Sequence, residues 1–274
     1  MSLSPELLSV LQAAAGGQRR VVFLTGAGIS AESGIPTFRG EEGYWTQGSR
    51  VYRPQDLAYW SAFSADPELV WPWYLYRLVI CSQAQPNAAH RALAELEATL
   101  GDRFVLVTQN VDGLHLRAGN TLARTWQIHG NISAMRCANE CCGTLWPVPD
   151  LGPVAQGAHF KPAWADALQC PECRGWTRPH VLWFDESYDE ARYRYDSARH
   201  AAANADLLVV VGTAGATTLP RQMAAIAHSK GTPIIDINPQ SNPFAEIAQT
   251  SSGGWIAAPA STGMEWIKDG LSTA

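Results

Sequence analysis

The chain has 274 residues, a formal net charge of −5 and an apolar fraction of 46%. This length fits one large domain or one domain with an inserted module, and the apolar fraction supports a full core. The acidic chain has no basic run that would match a phosphate backbone, so we expect no direct nucleic-acid binding. It also has no stretch of about 18 apolar residues and no secretion signal over residues 1–10, which predicts a cytoplasmic protein without a membrane span.

Strands and helices alternate along most of the chain. Three short apolar runs, at 21–25, 104–108 and 207–211, have the pattern of strands buried on both faces. Shorter strands are predicted at 126–128 and 233–237, and helices at 4–14, 67–82, 88–100, 188–204 and 221–229. This alternation predicts an α/β fold built on a doubly wound, Rossmann-like parallel sheet.

A cysteine-rich segment at 136–178 interrupts this alternation. Its cysteines are Cys137, Cys141, Cys142, Cys170 and Cys173. Such clustering without a secretion signal indicates a metal site rather than disulfides. Cys170 and Cys173 form one knuckle, and Cys137 forms the other with either Cys141 or Cys142. We favour Cys142 because Gly143 follows it. Four thiolates leave no open coordination position, so the expected ion is a structural Zn²⁺.

These patterns predict one domain over 1–274 with two inserted parts. The Rossmann-like part takes residues 1–40, 83–135 and 179–274, with 179–184 returning the chain to it. A helical and cofactor-loop insertion takes 41–82, and a smaller zinc-binding module takes 136–178.

A glycine-rich turn follows the first predicted strand. The sequence Gly-Ala-Gly-Ile-Ser-Ala at 26–31 lets the backbone approach a pyrophosphate, although an ordinary tight turn is the alternative. The acid expected about 20 residues later in an ordinary dinucleotide fold is missing. A long loop at 32–40, with an aromatic residue and a cation, stands there instead and suggests a cover over the cofactor.

Polar residues follow the second and third predicted strands. The segment Thr-Gln-Asn-Val-Asp-Gly-Leu-His at 108–115 offers donors and acceptors for ribose hydroxyls and a carboxamide, or forms a capped polar loop. His129 lies at the end of the next strand, where a neutral imidazole can act as a general base. On the helix at 67–82, Tyr74 and Arg77 share one face and can bind a carboxylate; the alternative is an arginine extending to solvent.

Together these motifs resemble the sirtuin family over about residues 20–245. The resemblance rests on the segments at 26–40 and 108–115, on His129-Gly130, on the cysteine module that follows and on 178–184. It implies catalytic roles for His129 and Asn110. It implies NAD⁺ contacts by Gly26, Ala27, Gly28, Ser30, Glu32, Phe38, Arg39, Gln109, Asn110, Val111, Asp112, Gly212, Thr213, Ala214 and Asn238. It implies substrate contacts by Tyr74, Arg77, Val181, Trp183 and Phe184, and zinc binding by Cys137, Cys142, Cys170 and Cys173.

The activity that this resemblance implies is NAD-dependent removal of acyl groups from protein lysines. The acyl-lysine protein or peptide would bind as an extended strand beside residues 180–183. Tyr74 and Arg77 match the pair of the subclass that removes succinyl, malonyl and glutaryl groups. Two positions depart from the family: Ala214 replaces a serine, and Asp185 adds a negative charge near the expected peptide groove.

Two other functions compete with deacylation. An NAD glycohydrolase or ADP-ribosyltransferase would use the same NAD site with another acceptor, but would have no evident use for Tyr74 and Arg77. A non-catalytic NAD sensor would not require His129 together with Asn110. Nicotinamide release with and without an acyl-lysine peptide distinguishes the three functions.

Overall fold

The computed structural model describes residues 3–37 and 54–272. Its strands are β1 (Val21–Thr25), β2 (Phe104–Thr108), β3 (Thr125–Gln127), β4 (Gly130–Cys137), β5 (Leu145–Pro147), β6 (Thr177–Val181), β7 (Leu207–Val211), β8 (Ile234–Ile237) and β9 (Gly254–Ile256). Six of them form one parallel sheet in the order β3-β2-β1-β7-β8-β9. The predicted doubly wound parallel sheet is confirmed.

The described residues form ten α-helices, most of which pack on the two faces of this sheet. They are α1 (Pro5–Ala15), α2 (Trp60–Ala65), α3 (Pro67–Gln83), α4 (Ala88–Leu100), α5 (Leu114–Ala118), α6 (Glu190–Tyr193), α7 (Tyr195–Ala203), α8 (Thr218–Ser229), α9 (Pro243–Thr250) and α10 (Ala260–Ser272). Alternate residues of β1 point to opposite faces, so Val21 and Phe23 join one core and Val22 and Leu24 join another. Burial on both faces explains why the strand sequences are continuously apolar.

A second, antiparallel sheet carries the cysteine module. Its order is β5-β4-β6, and β4 and β6 extend to Gly130 and Val181, beyond both ends of the predicted module. Residues 177–181 therefore pair with β4, and the chain re-enters the parallel sheet only at β7. A third apolar core joins this sheet to α2 and α3.

Two local features differ from the predicted elements. The helix expected over 188–204 is two helices, because Arg194 adopts a left-handed conformation with φ of 54° between α6 and α7. Strands β4, β5, β6 and β9 and helices α2, α5, α9 and α10 were not predicted. None of the helices in the described ranges 3–37 and 54–272 has the length and apolar character needed to cross a bilayer.

Candidate active site

The glycine turn lies where the order of the parallel sheet reverses, between β1 and β7. Ligands of open α/β sheets bind at such a point. The Gly28 amide donates to the Gly212 carbonyl at 2.7 Å, and a Cβ on Gly28 would lie 2.8 Å from Cα of Gly212. A Cβ on Gly26 would similarly lie 2.6 Å from Cβ of Thr213. Only glycine permits this close approach, which places the turns after β1 and β7 directly against each other.

Polar side chains from the turns after β1 and β2 form one hydrogen-bonded network. The Asn110 amide donates to Oγ of Ser30 at 3.0 Å and to the Gly26 carbonyl at 3.1 Å. Oγ of Ser30 donates to Oδ2 of Asp112 at 2.7 Å. Burial raises the pKa of Asp112, while hydrogen bonds from Leu114 and Ser30 act in the opposite direction. The network fixes the motif at 108–115 against the glycine turn.

Gln109 connects the ends of β1, β2 and β7. Its side-chain amide donates to Oγ1 of Thr213 at 2.9 Å and to the Thr25 carbonyl at 3.2 Å. Its amide oxygen accepts from Oγ1 of Thr217 at 2.9 Å. Asn238, at the end of β8, donates to the Thr213 carbonyl at 3.3 Å. The predicted residues on β2, β7 and β8 thus meet at the carboxyl edge of the sheet.

His129 lies beside this network in a single defined tautomer. Its Nδ1 is 3.0 Å from the Gln109 carbonyl, which only accepts, so Nδ1 carries the proton. Burial lowers the pKa of His129 to about 4, although the Gln109 carbonyl opposes this effect. The ring is neutral at pH 7, and its Nε2 is a basic atom that accepts from the Tyr188 hydroxyl at 2.8 Å. This is the chemical state that a general base requires.

Several predicted cofactor residues lie at the margin of this site or away from it. Val111 uses its carbonyl to accept from the Ile132 amide at 2.9 Å, and Ala214 is exposed. The Glu32 carboxylate accepts from the Ser261 amide and hydroxyl at 2.9 and 2.5 Å, at the start of α10, so it is outside the network. Phe38 and Arg39 lie outside the described residues.

Four cysteines converge at one end of the small sheet: Cys137, Cys141, Cys170 and Cys173. Their sulfur atoms all lie within 4.8 Å of one another. Four thiolates at such distances are the ligand set of a structural zinc, and they leave no position for a substrate. The cluster fits one Zn²⁺, as the sequence predicted.

The prediction of Cys142 as the second ligand is wrong, because Cys141 occupies that position. Glu140 adopts a left-handed conformation with φ of 52°, which turns the chain so that the next residue, Cys141, faces the cluster. Sγ of Cys141 lies 3.6 Å from Sγ of Cys170. A Cβ on Gly143 would meet no atom within 4 Å, so this glycine is not needed for the turn.

Tyr74 and Arg77 are both buried on α3. The Tyr74 hydroxyl accepts from Nε1 of Trp183 at 2.6 Å, and the Arg77 guanidinium lies 4.6 Å from the Trp73 ring centre. Burial raises the pKa of Tyr74 to about 12, and Arg77 acts in the opposite direction. The phenol therefore keeps its proton at neutral pH. Trp183 donates to the phenol oxygen and does not accept this proton. The predicted solvent-exposed alternative for Arg77 does not fit its 4% exposure.

The segment that follows β6 is held by buried ionic contacts. Arg178 pairs with Glu186 and also donates to the Val181 carbonyl at 2.9 Å. Glu186 accepts from the Trp183 amide at 2.9 Å. These contacts fix the backbone of 181–183, beside which the substrate strand was predicted. Phe184 is 55% exposed next to it.

Asp185 has a structural partner that the sequence did not suggest. Its carboxylate accepts from the amides of Trp60 and Ser61 at 2.6 and 3.0 Å, which caps the first turn of α2. Partial burial opposes ionisation of Asp185, but the hydrogen bonds from Ser61 and Trp60 lower its pKa.

Tyr188 was not predicted as a residue of the site, because only the fold brings it to His129, 59 positions away in sequence.

The fold and site define a parallel α/β protein with a glycine turn at its topological switch point and a four-cysteine module. Residues 26–218 match the Sir2 family. The chain is 42% identical over 226 residues to an NAD-dependent protein deacylase of Leptospira interrogans, covering 82% of this chain and 84% of that protein. It is 37% identical to an NAD-dependent protein deacylase of Aquifex aeolicus, covering 92% and 95% of the two chains.

Solved structures give the same result. A Sir2 homologue in complex with NAD is 35% identical, with a TM-score of 0.78 and coverage of 98% of this chain and 94% of that chain. A complex of Sir2 with a p53 peptide and NAD⁺ is 26% identical, with a TM-score of 0.74 and coverage of 97% of both chains. The chain belongs to the Sir2, or sirtuin, family.

Proposed function

We propose that this protein removes acyl groups from protein lysines and consumes NAD⁺ as a co-substrate. The products are nicotinamide, O-acyl-ADP-ribose and free lysine. The observation that carries the proposal is the buried, neutral His129, whose basic Nε2 lies beside the Asn110 network and the glycine turn. The relatives named NAD-dependent protein deacylase and the solved complexes with NAD support it.

Two steps follow from the chemistry of these groups. The acyl oxygen of the substrate lysine attacks the ribose carbon that bears nicotinamide, and nicotinamide leaves. His129 then removes a proton from a ribose hydroxyl, and this oxygen attacks the carbon of the resulting imidate. Addition of one water molecule to this adduct expels the lysine amine and leaves the acyl group as an ester on the ribose. Gly26, Ala27, Gly28 and Ser30 are proposed to hold the pyrophosphate side of NAD, and Gln109, Asn110 and Asp112 the ribose and carboxamide.

Further residues are proposed to bind the other half of NAD or to support the fold. Gly212, Thr213, Ala214 and Asn238 are proposed to contact the adenosine half. The four-cysteine module is proposed to stabilise the fold around the substrate segment, because a zinc held by four thiolates has no open position for chemistry. Direct nucleic-acid binding is not expected, and a cytoplasmic location remains a prediction from the sequence.

The proposed partner is an acyl-lysine segment of another protein, bound as a strand. β6 is the last strand in the order of the small sheet, and an edge strand can pair with an extended peptide. Val181, Trp183 and Phe184 follow this edge, and the Arg178–Glu186 pair holds their backbone in place. The Sir2 complex with a p53 peptide supports a peptide as the substrate class.

Nicotinamide release distinguishes deacylation from the competing functions. Release should require both NAD⁺ and an acyl-lysine peptide, and the matching unacylated peptide is the control. Equal release with either peptide would indicate an NAD glycohydrolase instead. Binding of NAD⁺ without any release would indicate a sensor.

We further propose that Tyr74 and Arg77 recognise an acidic acyl group such as succinyl or malonyl. Trp183 donates to the phenol oxygen of Tyr74 and does not accept its proton, so the phenol can donate this proton to a carboxylate. Arg77 is buried, so its attraction to a carboxylate is less screened than it would be at the surface. Arginine also has the planar geometry to bind a carboxylate through two hydrogen bonds.

Replacing Arg77 by methionine tests this preference. The variant keeps much of the side-chain volume and removes the charge, so we expect activity on a succinyl-lysine peptide to fall by about 10- to 150-fold. Activity on the matched acetyl-lysine peptide should stay within about a few-fold, since no carboxylate is lost from that complex. Initial rates on the two peptides measure the effect, and the acetyl rate is the control for folding. Equal losses would mean that Arg77 only supports the fold.

A further inference from the structure

Tyr188 contacts Nε2 of His129, the atom that the proposed mechanism uses as a base. It follows β6 in an irregular segment, and its hydroxyl lies 2.8 Å from Nε2 of His129. Because Nδ1 of His129 donates to the Gln109 carbonyl and the ring is neutral, Nε2 can only accept. The phenol must therefore donate its single proton to Nε2. Burial raises the pKa of Tyr188 to about 12, so this proton is present throughout the neutral range.

The surroundings of Tyr188 hold its ring in this position. The ring stacks on Tyr195 with centres 6.0 Å apart and planes inclined by 25°. Thr217, which donates to Gln109, acts against the rise in the pKa of Tyr188 that burial causes. The imidazole that Tyr188 contacts is also held by the Gln109 carbonyl, which accepts from its Nδ1.

The same atom of His129 is required for catalysis. Resting on the proposed deacylase mechanism, Nε2 must accept a proton from a ribose hydroxyl, and one lone pair cannot accept from two hydroxyls at once. The Tyr188 hydroxyl therefore occupies the place that the ribose hydroxyl needs. We propose that Tyr188 is a positioning residue that keeps His129 oriented before NAD binds and is displaced from Nε2 when NAD binds.

Because the ribose hydroxyl replaces the Tyr188 hydroxyl at Nε2, Tyr188 should influence the affinity for NAD and not the rate of the chemical step. One hydrogen bond to Nε2 is broken and another is formed, so binding is weaker than it would be to a free Nε2. Once the ribose hydroxyl is in place, Tyr188 no longer contacts the base. Its removal should then alter KM for NAD and leave kcat nearly unchanged.

The test is Tyr188→Phe, with Tyr195→Phe as the matched control. Both variants remove one hydroxyl from stacked rings, but the Tyr195 hydroxyl donates to Gln222 at 3.3 Å instead of contacting His129. From the net strength of one hydrogen bond, we expect Tyr188→Phe to lower KM for NAD by about two- to tenfold, with kcat within about twofold of wild type. Tyr195→Phe should change neither constant.

Calorimetric titration of NAD into each protein without peptide gives a second readout. The Kd for NAD should fall in Tyr188→Phe by the same factor as KM. A lower kcat in this variant would mean that Tyr188 takes part in proton transfer, and an unchanged KM and Kd would mean that its contact does not oppose binding; either result overturns the proposal. If wild-type protein turns over no acyl-lysine peptide, the proposed function has failed, and the titration still decides the role of Tyr188.

Discussion

Replacing His129 by alanine should slow deacylation by about 10²–10⁴-fold while NAD still binds. The expected loss is large because Nε2 of His129 is the proposed acceptor of the ribose proton, and burial keeps its pKa near 4. The base is therefore unprotonated at neutral pH without help from a charged partner. Initial rates with an acyl-lysine peptide measure the loss, and titration with NAD measures binding.

The control for this substitution is His228→Ala. His228 is exposed in the last turn of α8 and has no part in the proposed site, so its replacement should leave the rate unchanged. Near wild-type turnover by His129→Ala would show that His129 has only a structural role. Loss of NAD binding together with activity would place His129 in the binding site rather than in the chemical step.

Replacing Cys141 by serine should remove zinc and lower the stability of the protein. Structural zinc contributes about 10–16 kcal/mol in small zinc-binding peptides, which is comparable with the whole stability of many domains at about 5–15 kcal/mol. Loss of one of four thiolates weakens this contribution, and the module joins the core that contains α2 and α3. We expect less than one equivalent of zinc and a lower melting temperature.

Cys142→Ser is the matched control, because Cys142 is the neighbouring cysteine but is not in the cluster. It should keep one equivalent of zinc and melt with the wild type. Stoichiometric zinc in Cys141→Ser, or zinc loss in Cys142→Ser, would contradict the ligand set. Metal analysis of protein purified without chelators measures both.

The parallel sheet could be predicted from the sequence because its strands are buried on both faces. The runs at 21–25, 104–108 and 207–211 coincide with β1, β2 and β7. Short or exposed elements have no continuous apolar run that would mark them. Strand β5, for example, is largely exposed. The start of α2 is capped by Asp185, which lies more than 100 positions away in sequence. Tertiary contacts of that kind have no local signal in a sequence.

The parts of the site that lie directly after a strand of the parallel sheet could be predicted from the sequence. The segments after β1 and β2 meet as expected, because the carboxyl ends of parallel strands share one edge of the sheet. The choice between Cys141 and Cys142 depended on the backbone of Glu140, which is left-handed although it is not glycine. A sequence does not reveal this uncommon conformation, since non-glycine residues rarely adopt it.

The balance between NAD consumed and lysine released tests the central proposal most directly. Wild-type protein is incubated with NAD⁺ and an acyl-lysine peptide, and mass spectrometry follows nicotinamide, deacylated peptide and the acyl group. Deacylation predicts equal amounts of nicotinamide, free-lysine peptide and O-acyl-ADP-ribose, with no products when NAD⁺ is omitted. Nicotinamide formed with free ADP-ribose while the peptide keeps its acyl group would contradict it.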